Sequence, residues 1–214
     1  MKVILTGATG YVGEGVLLAM LDDERIEKVL SVGRKTCGVS HPKLEELILP
    51  DLMDLQSGDL KLDGYDVVFF IAGITSVGTP KDVYQVISRD IPVHFAKAMP
   101  NKSQMSFIYL SGYGTSDKGR QHWQKVKSGT ERQIMDMGFR YAYGWRPCFM
   151  TPYPGQKSKQ VQAQKGAKLL YPLLRLFGLA CSMQEMVDAM YKACTEGWDK
   201  NAVEPWDIIR MAKR

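Results

Sequence analysis

The segment Thr6-Gly-Ala-Thr-Gly-Tyr-Val-Gly13 constrains this chain more than any other. Its glycines at 7, 10 and 13 stand between an apolar run, Val3 to Leu5, and a helical-period run of Val12, Val16, Leu17, Met20 and Leu21. Strand, glycine turn and helix in that order make an anion site from backbone alone. Gly7 permits the tight turn, Gly10 lets backbone approach a pyrophosphate, and Gly13 allows the helix to pack closely on the strand. The helix N-terminus adds unpaired N–H donors and positive potential. A dinucleotide is the expected ligand, and Thr9, Tyr11 and Val12, lying between the glycines, are counted with Gly7, Gly10 and Gly13 as cofactor-binding. The plain alternative is a glycine turn that holds nothing.

NAD sites usually carry a carboxylate about 20 residues beyond the glycines, where it accepts from the ribose hydroxyls. Here the second strand ends Ser31-Val-Gly-Arg34-Lys35, with two cations and no acid. Arg and Lys at that place would pair with a 2′-phosphate, and Arg also stacks on adenine. NADP is therefore the expected cofactor, with NAD as the alternative should Arg34 and Lys35 be ordinary solvated loop charges.

Further short apolar runs follow at Val29 to Val32, near Glu46 to Leu49 and at Asp66 to Ile71, as expected of parallel strands covered on both faces. Lys81 to Met99 reads as a helix whose first half is put in doubt by Pro92. Ser106 to Leu110 is a strand, about Asp117 to Met137 a helix ending before Gly138, and Arg140 to Trp145 a strand. Beyond Pro147 no strand pattern shows. Ser182-Met-Gln-Glu185 has capping-box spacing, with Met186, Val187 and Met190 as the apolar face of the helix it opens. The expectation is one domain over residues 1–214: a dinucleotide-binding core to residue 150, then a smaller, mostly helical cap from 151 that does not fold independently.

The balance of 28 basic and 23 acidic residues, net +5, is spread without a basic block, which points to solubility rather than nucleic-acid binding. No apolar run is long enough to cross a bilayer, and no signal-peptide core follows Met1-Lys2. The four cysteines, Cys37, Cys148, Cys181 and Cys194, form no CxxC pair, which suits a reducing compartment, so a cytoplasmic location is expected. His41, His94 and His122 share no metal spacing, and no metal site is expected. Ser111 and His122 lack the GxSxG elbow and an acid partner that a hydrolase needs. The stretch Leu169 to Leu179 is read as core packing, with a substrate pocket or a dimer or partner surface as alternatives. Lys157, Lys159, Lys165 and Lys168 before it read as a solvated lid. Small-molecule substrate, monomer or homodimer, no nucleic acid and no membrane complete the expected partners.

With the TGxxGxxG form of its glycine turn, the chain resembles the short-chain dehydrogenase/reductase superfamily, in the extended or atypical branch that includes NAD(P)-dependent epimerase/dehydratases. Its short length and the Leu-Ser111-Gly segment look most like the Tat-interacting-protein type of oxidoreductase-like proteins. The resemblance implies a doubly wound parallel α/β sheet (Rossmann-like) with a small helical C-terminal cap. It also implies that Asp51 and Leu52 border the adenine, that Ala72 and Gly73 pass beside the ribose and pyrophosphate, and that Pro147, after Arg146, lies near the nicotinamide. For Asp51 the plain reading is a turn residue, and for Ala72-Gly73 a strand end.

Catalysis in that superfamily uses Ser, Tyr and Lys, the last two as YxxxK on one helix face. Lys lowers the Tyr pKa and binds the nicotinamide ribose, and Tyr moves a proton to or from the substrate oxygen. The register here gives Ser111 and then Trp123-Gln-Lys-Val-Lys127, so Trp123 stands where Tyr belongs and Lys127 keeps the ribose role. An indole N–H donates a hydrogen bond but is no acid near neutral pH. Three readings remain open. Tyr113, two residues beyond Ser111 in a glycine-flanked loop, serves as the acid; or a flavin or quinone takes the hydride with protons from solvent; or the fold holds NADPH without turnover as a regulatory or partner-binding module. Epimerase or dehydratase chemistry is handicapped by the same loss.

Overall fold

The computed structural model describes residues 1–158 and 170–213. Lys159, Lys165, Lys168 and Leu169 therefore lie outside the described residues. The chain begins β1 (Lys2–Thr6), α1 (Tyr11–Asp22), β2 (Lys28–Gly33), β3 (Leu44–Ile48) and β4 (Val67–Phe70). After α2 (Lys81–Gln85) and α3 (Ile91–Ala98) come β5 (Ser106–Leu110), α4 (His122–Met135) and β6 (Tyr141–Trp145). The remainder holds β7 (Phe149–Thr151), α5 (Tyr171–Leu176), β8 (Ala180–Ser182), α6 (Met183–Thr195), β9 (Ala202–Val203) and α7 (Pro205–Ala212).

One parallel sheet runs in the order β3-β2-β1-β4-β5-β6-β9. The chain winds outward from β1 to β3, then returns to β4 on the other side of β1 and winds away. That reversal leaves a crevice above the carboxyl ends of β1 and β4, the place where a doubly wound sheet binds ligands. Alternation along each strand divides the apolar side chains between two layers. Val3, Leu5, Phe69, Ile108 and Trp145 face α1, α6 and α7; Ile4, Val68, Phe70, Phe107 and Tyr109 face α3, α4 and the segment carrying Leu52, Leu55 and Leu62.

Pro92 does not break its helix, because the lost bond is compensated. Pro92 has no N–H for the carbonyl of Ser88, and the turn Val86–Asp90 widens to a π-helix. The Ser88 oxygen accepts instead from Tyr109 Oη at 2.7 Å and Thr130 Oγ1 at 3.0 Å, which fastens α3 to β5 and α4. Helix α4 starts at His122 rather than near Asp117, since Gln121 and Gln124 close a capping box there. The box at Ser182 forms as expected, with Glu185 N–H donating to Ser182 Oγ at 3.1 Å and Ser182 N–H to Glu185 Oε2 at 2.8 Å.

Two expectations for the last third are corrected. Strands do occur beyond Pro147: β7 pairs with β8 in parallel, and β9 extends the main sheet beside β6. They are two or three residues long, too short to display a period. The run from Leu170 to Phe177 does not pack as core, because Leu170, Leu173, Leu176 and Phe177 are all more than half exposed. Arg175 decides the orientation: it donates to Ala180 O and pairs with Glu185, so its own face of α5 turns inward and the leucines turn out.

Candidate nucleotide site

A cleft of about 850 Å³ occupies the switch point. Residues 7–13, 31–35, 50–52 and 71–74 line it, with Ile87, Ile91 and Leu110 closing one side. Every residue expected on the adenine, ribose and pyrophosphate portion is brought together here: Gly7, Thr9, Gly10, Tyr11, Val12, Gly13, Arg34, Lys35, Asp51, Leu52, Ala72 and Gly73.

Gly7 and Gly13 are required for different reasons. Gly7 has φ +76°, and a Cβ there would stand 2.7 Å from Ala72 N. At Gly13 a Cβ would fall 2.0 Å from Gly7 O, so helix and turn touch backbone to backbone. Gly10 is bound by neither limit: its φ is −90°, and a Cβ would meet only Gly7 O, at 3.4 Å. Among the described residues nothing crowds a Cβ at 10, and Gly10 lines the cleft. Gly10 is also the N-cap of α1 and offers no side chain to its first-turn amides.

Thr6 holds the floor of the site. Its buried hydroxyl accepts from Ile71 N–H at 3.0 Å and Ala72 N–H at 3.1 Å, fixing the ends of β1 and β4 to each other. Sequence reading missed this role, although a Thr opening the glycine motif is the signal for it. Tyr11 contributes backbone to the cleft while its hydroxyl donates to Met150 O at 2.7 Å; burial pushes the phenol up to about 12. Asp51 lines the cleft and also caps a short 3₁₀ turn, accepting from Met53 N–H at 2.9 Å. Arg34 and Lys35 are exposed at the cleft, and among the described residues neither forms an ion pair or hydrogen bond.

The expected nicotinamide end is built differently. Ser111 is buried, with Oγ at 2.9 Å from Thr115 Oγ1. Lys127 Nζ donates to Leu110 O at 3.0 Å and Ser111 O at 3.2 Å, and lies 5.2 Å from the Tyr109 ring. Desolvation lowers its pKa to about 8, against a smaller upward pull from the Glu131 carboxylate. Trp123 Nε1 donates to Gln121 Oε1. Tyr113 is 46% exposed and packs edge-on against Trp206, 6.2 Å between centroids. Pro147 is buried, its carbonyl accepting from Tyr113 N–H at 3.2 Å. None of Ser111, Tyr113, Lys127 and Pro147 lines the cleft. Lys127 and Ser111 meet, while Tyr113 packs against Trp206 of α7.

An ion-pair network next to this region escaped sequence reading. Arg146 binds Glu131 through both carboxylate oxygens, at 3.0 and 2.5 Å, and Glu204 at 2.9 Å. It ties α4, the end of β6 and the start of α7. Gly144 makes the room, since a Cβ there would stand 2.4 Å from Glu131 Cδ. Nothing local in the sequence pairs positions 131, 146 and 204.

No protein-family model matches the chain. It is 28% identical over 165 residues to the protein fmp52-2, mitochondrial, of Aspergillus terreus, covering 75% of this chain and 72% of that one. To FMP52, mitochondrial, of Chaetomium globosum it is 25% identical over 183 residues, covering 82% and 74%. The leucinostatins biosynthesis cluster protein T of Purpureocillium lilacinum is 30% identical over 141 residues; the chain spans 64% of its own length but about half (52%) of that relative. The expectation of a cytoplasmic protein is overturned here, because the FMP52 relatives are named mitochondrial. Among the described residues no helix is long and apolar enough to cross a membrane.

Among solved structures, UDP-glucuronic acid 4-epimerase from Bacillus cereus in complex with NAD superposes with a TM-score of 0.67 at 14% identity, over 95% of this chain and 78% of the epimerase. Glucuronic acid dehydrogenase from Chromohalobacter salexigens gives 0.68 at 15% identity, over 95% and 75%. The chain therefore has the Rossmann-like fold of NAD-dependent epimerases and dehydrogenases, and its sequence relatives are FMP52-like proteins.

Proposed function

We propose that this chain binds NADP(H) in the switch-point cleft and passes hydride to a small carbonyl, quinone or flavin acceptor without a tyrosine acid. The observation that carries the reading is the open side of Gly10: the fold leaves a cradle there that a Cβ would occupy, directly at the N-terminus of α1. The residues fit a dinucleotide. Backbone of Gly7 to Gly13 would hold the pyrophosphate, Leu52 and Ala72 the adenosine, and Arg34 with Lys35 a 2′-phosphate. Solved neighbours that carry NAD support the nicotinamide class. The two cations, without a competing partner among the described residues, support the phosphorylated form. When bound, the nicotinamide supplies the hydride.

The residues expected at the hydride end are engaged within the protein rather than presented to the cleft. Lys127 spends two donors on the carbonyls of Leu110 and Ser111, Ser111 is paired with Thr115, and the Tyr113 ring packs against Trp206. Acceptors that draw their protons from solvent suit such a site, and flavins and quinones are of that kind. A second reading is a catalytically weak NADPH-binding regulatory or partner-binding module. The apolar face of Leu173, Leu176 and Phe177 turned to solvent favours it.

Calorimetric titration with NADPH and NADH, followed by NADPH oxidation at 340 nm with carbonyl, quinone and flavin acceptors, tests the proposal. Tight NADPH binding with turnover is the expected result. Binding without turnover moves the weight to the module, and absence of binding overturns the nucleotide site.

A further inference from the structure

Arg34 and Lys35, without an ion pair among the described residues, sit on a loop whose two ends are fixed from outside the cleft. Gly33 O accepts from Leu49 N–H at 2.9 Å, which carries the pairing of β2 and β3 to the last residue before Arg34. On the other side of Lys35, Glu46 of β3 takes hold of the chain. Its Oε1 accepts from Cys37 N–H at 2.7 Å and its Oε2 from Thr36 Oγ1 at 2.7 Å, while Thr36 Oγ1 accepts in turn from Gly38 N–H at 3.1 Å. Cys37 and Val39 pack against the α1-side core, so the far end of the loop is anchored by side chains as well. Arg34 and Lys35 are the two residues left between these anchors. A charge on an edge strand is ordinary protection against strand-to-strand pairing. That role does not require both carboxylate oxygens to be engaged by one loop.

We infer that Glu46 is a positioning residue for cofactor choice: by clasping Thr36 and Cys37 it holds Arg34 and Lys35 at the cleft, ready for a 2′-phosphate. The inference rests on the proposed NADP(H) reading and extends it to a residue that does not line the cleft. The physical basis is preorganisation. A loop already ordered does not have to be ordered by the ligand, and the saving goes only to the ligand that uses the loop. NADPH uses it through its phosphate and through adenine stacking on Arg34; NADH has the stacking alone, so the larger share of the saving falls to NADPH.

Calorimetric titration of NADPH and NADH with wild type, E46A, E46Q, R34A/K35A and R34A/K35A/E46A tests it. Wild type is expected to prefer NADPH. E46A should weaken NADPH by roughly five- to tenfold and leave NADH within about twofold, since one loop's ordering is at stake. E46Q should recover most of the loss, because its amide oxygen still accepts from Cys37 N–H. On the R34A/K35A background E46A should add nothing, as the cations are the residues through which Glu46 acts. Equal weakening of both cofactors by E46A, full NADPH affinity in E46A, or tighter NADPH binding in E46A overturns the inference while the cofactor reading stands. A wild type that binds both cofactors equally overturns the NADP preference itself, and this inference with it.

Discussion

Alanine at Gly10 and alanine at Gly13 should fail in opposite ways, although the two glycines are three residues apart in one motif. At Gly13 the added methyl would lie 2.0 Å from Gly7 O and 2.5 Å from Gly7 C, both backbone atoms that no rotamer change can move. Reaching an ordinary 3.4 Å contact requires the first turn of α1 to retreat by 1.4 Å from the glycine turn. That turn is held in place by the buried side chains of Val16, Leu17 and Met20. Overpacking of this kind costs about 1–3 kcal/mol, or roughly 3–10 °C in Tm for a chain of this length. Gly10 has an ordinary extended backbone and a single contact at 3.4 Å, so G10A should lose less than about 1 kcal/mol, the cost of a poorer N-cap. Its methyl nevertheless enters the cleft where the pyrophosphate backbone contact is proposed, and NADPH affinity should fall by more than about tenfold. Thermal melts followed by circular dichroism, with calorimetric titration of the folded variants, read both quantities. G10A binding NADPH as wild type does, or G13A melting with wild type, would refute the division of labour between the two glycines.

Three further outcomes follow from the geometry. E131A leaves the Arg146 guanidinium, 15% exposed, with Glu204 alone, and should destabilise by about 3–5 kcal/mol in urea unfolding; a loss below about 1 kcal/mol would show the network to be solvated. Lys127, lowered by desolvation from 10.5 to about 8, binds fewer protons folded than unfolded between those values, so its contribution to stability rises with pH across that window. The difference in unfolding free energy between wild type and K127M should therefore shift toward wild type from pH 8 upward, with the opposing buried thiols Cys181 and Cys194 cancelling in the difference; a pH-independent difference would contradict it. Y113F should leave both NADPH oxidation and stability, the latter within about 0.5 kcal/mol, unchanged, since the hydroxyl stands in a half-exposed ring against Trp206; loss of turnover would restore Tyr113 as the acid.

The glycine turn was legible because its requirements are local: a left-handed residue, an open approach and a close helix all fall within seven positions. Arg34 and Lys35 were legible for the same reason, standing one strand and one turn further on. Asp51 and Ala72 lie farther along the chain, and their place at the cleft came from resemblance, not from any local constraint. What escaped notice was non-local or too short. Pro92 marks a helix break unless Tyr109 and Thr130, 17 and 38 positions away, are known to satisfy Ser88 O. Strand β9 is two residues supported by β6, and no propensity argument finds it. The leucines after 169 read as core because composition does not reveal that Arg175 claims the inward face.

The sharing of one hydrophobic layer by α1, α6 and α7 bears on how the chain comes off the ribosome. Leu17 and Met20 of α1 belong to the same cluster as Met186, Val187 and Met190 of α6 and Ile208 of α7, and Arg25, just after α1, pairs with Asp188. The surface that covers the glycine turn and its helix is made some 165 residues after them. During that interval the nascent nucleotide half presents an uncovered apolar flank, the kind of surface that chaperones bind. Synthesis stalled near Pro147 would release a chain that has every residue lining the switch-point cleft and lacks the helices that shield it from aggregation.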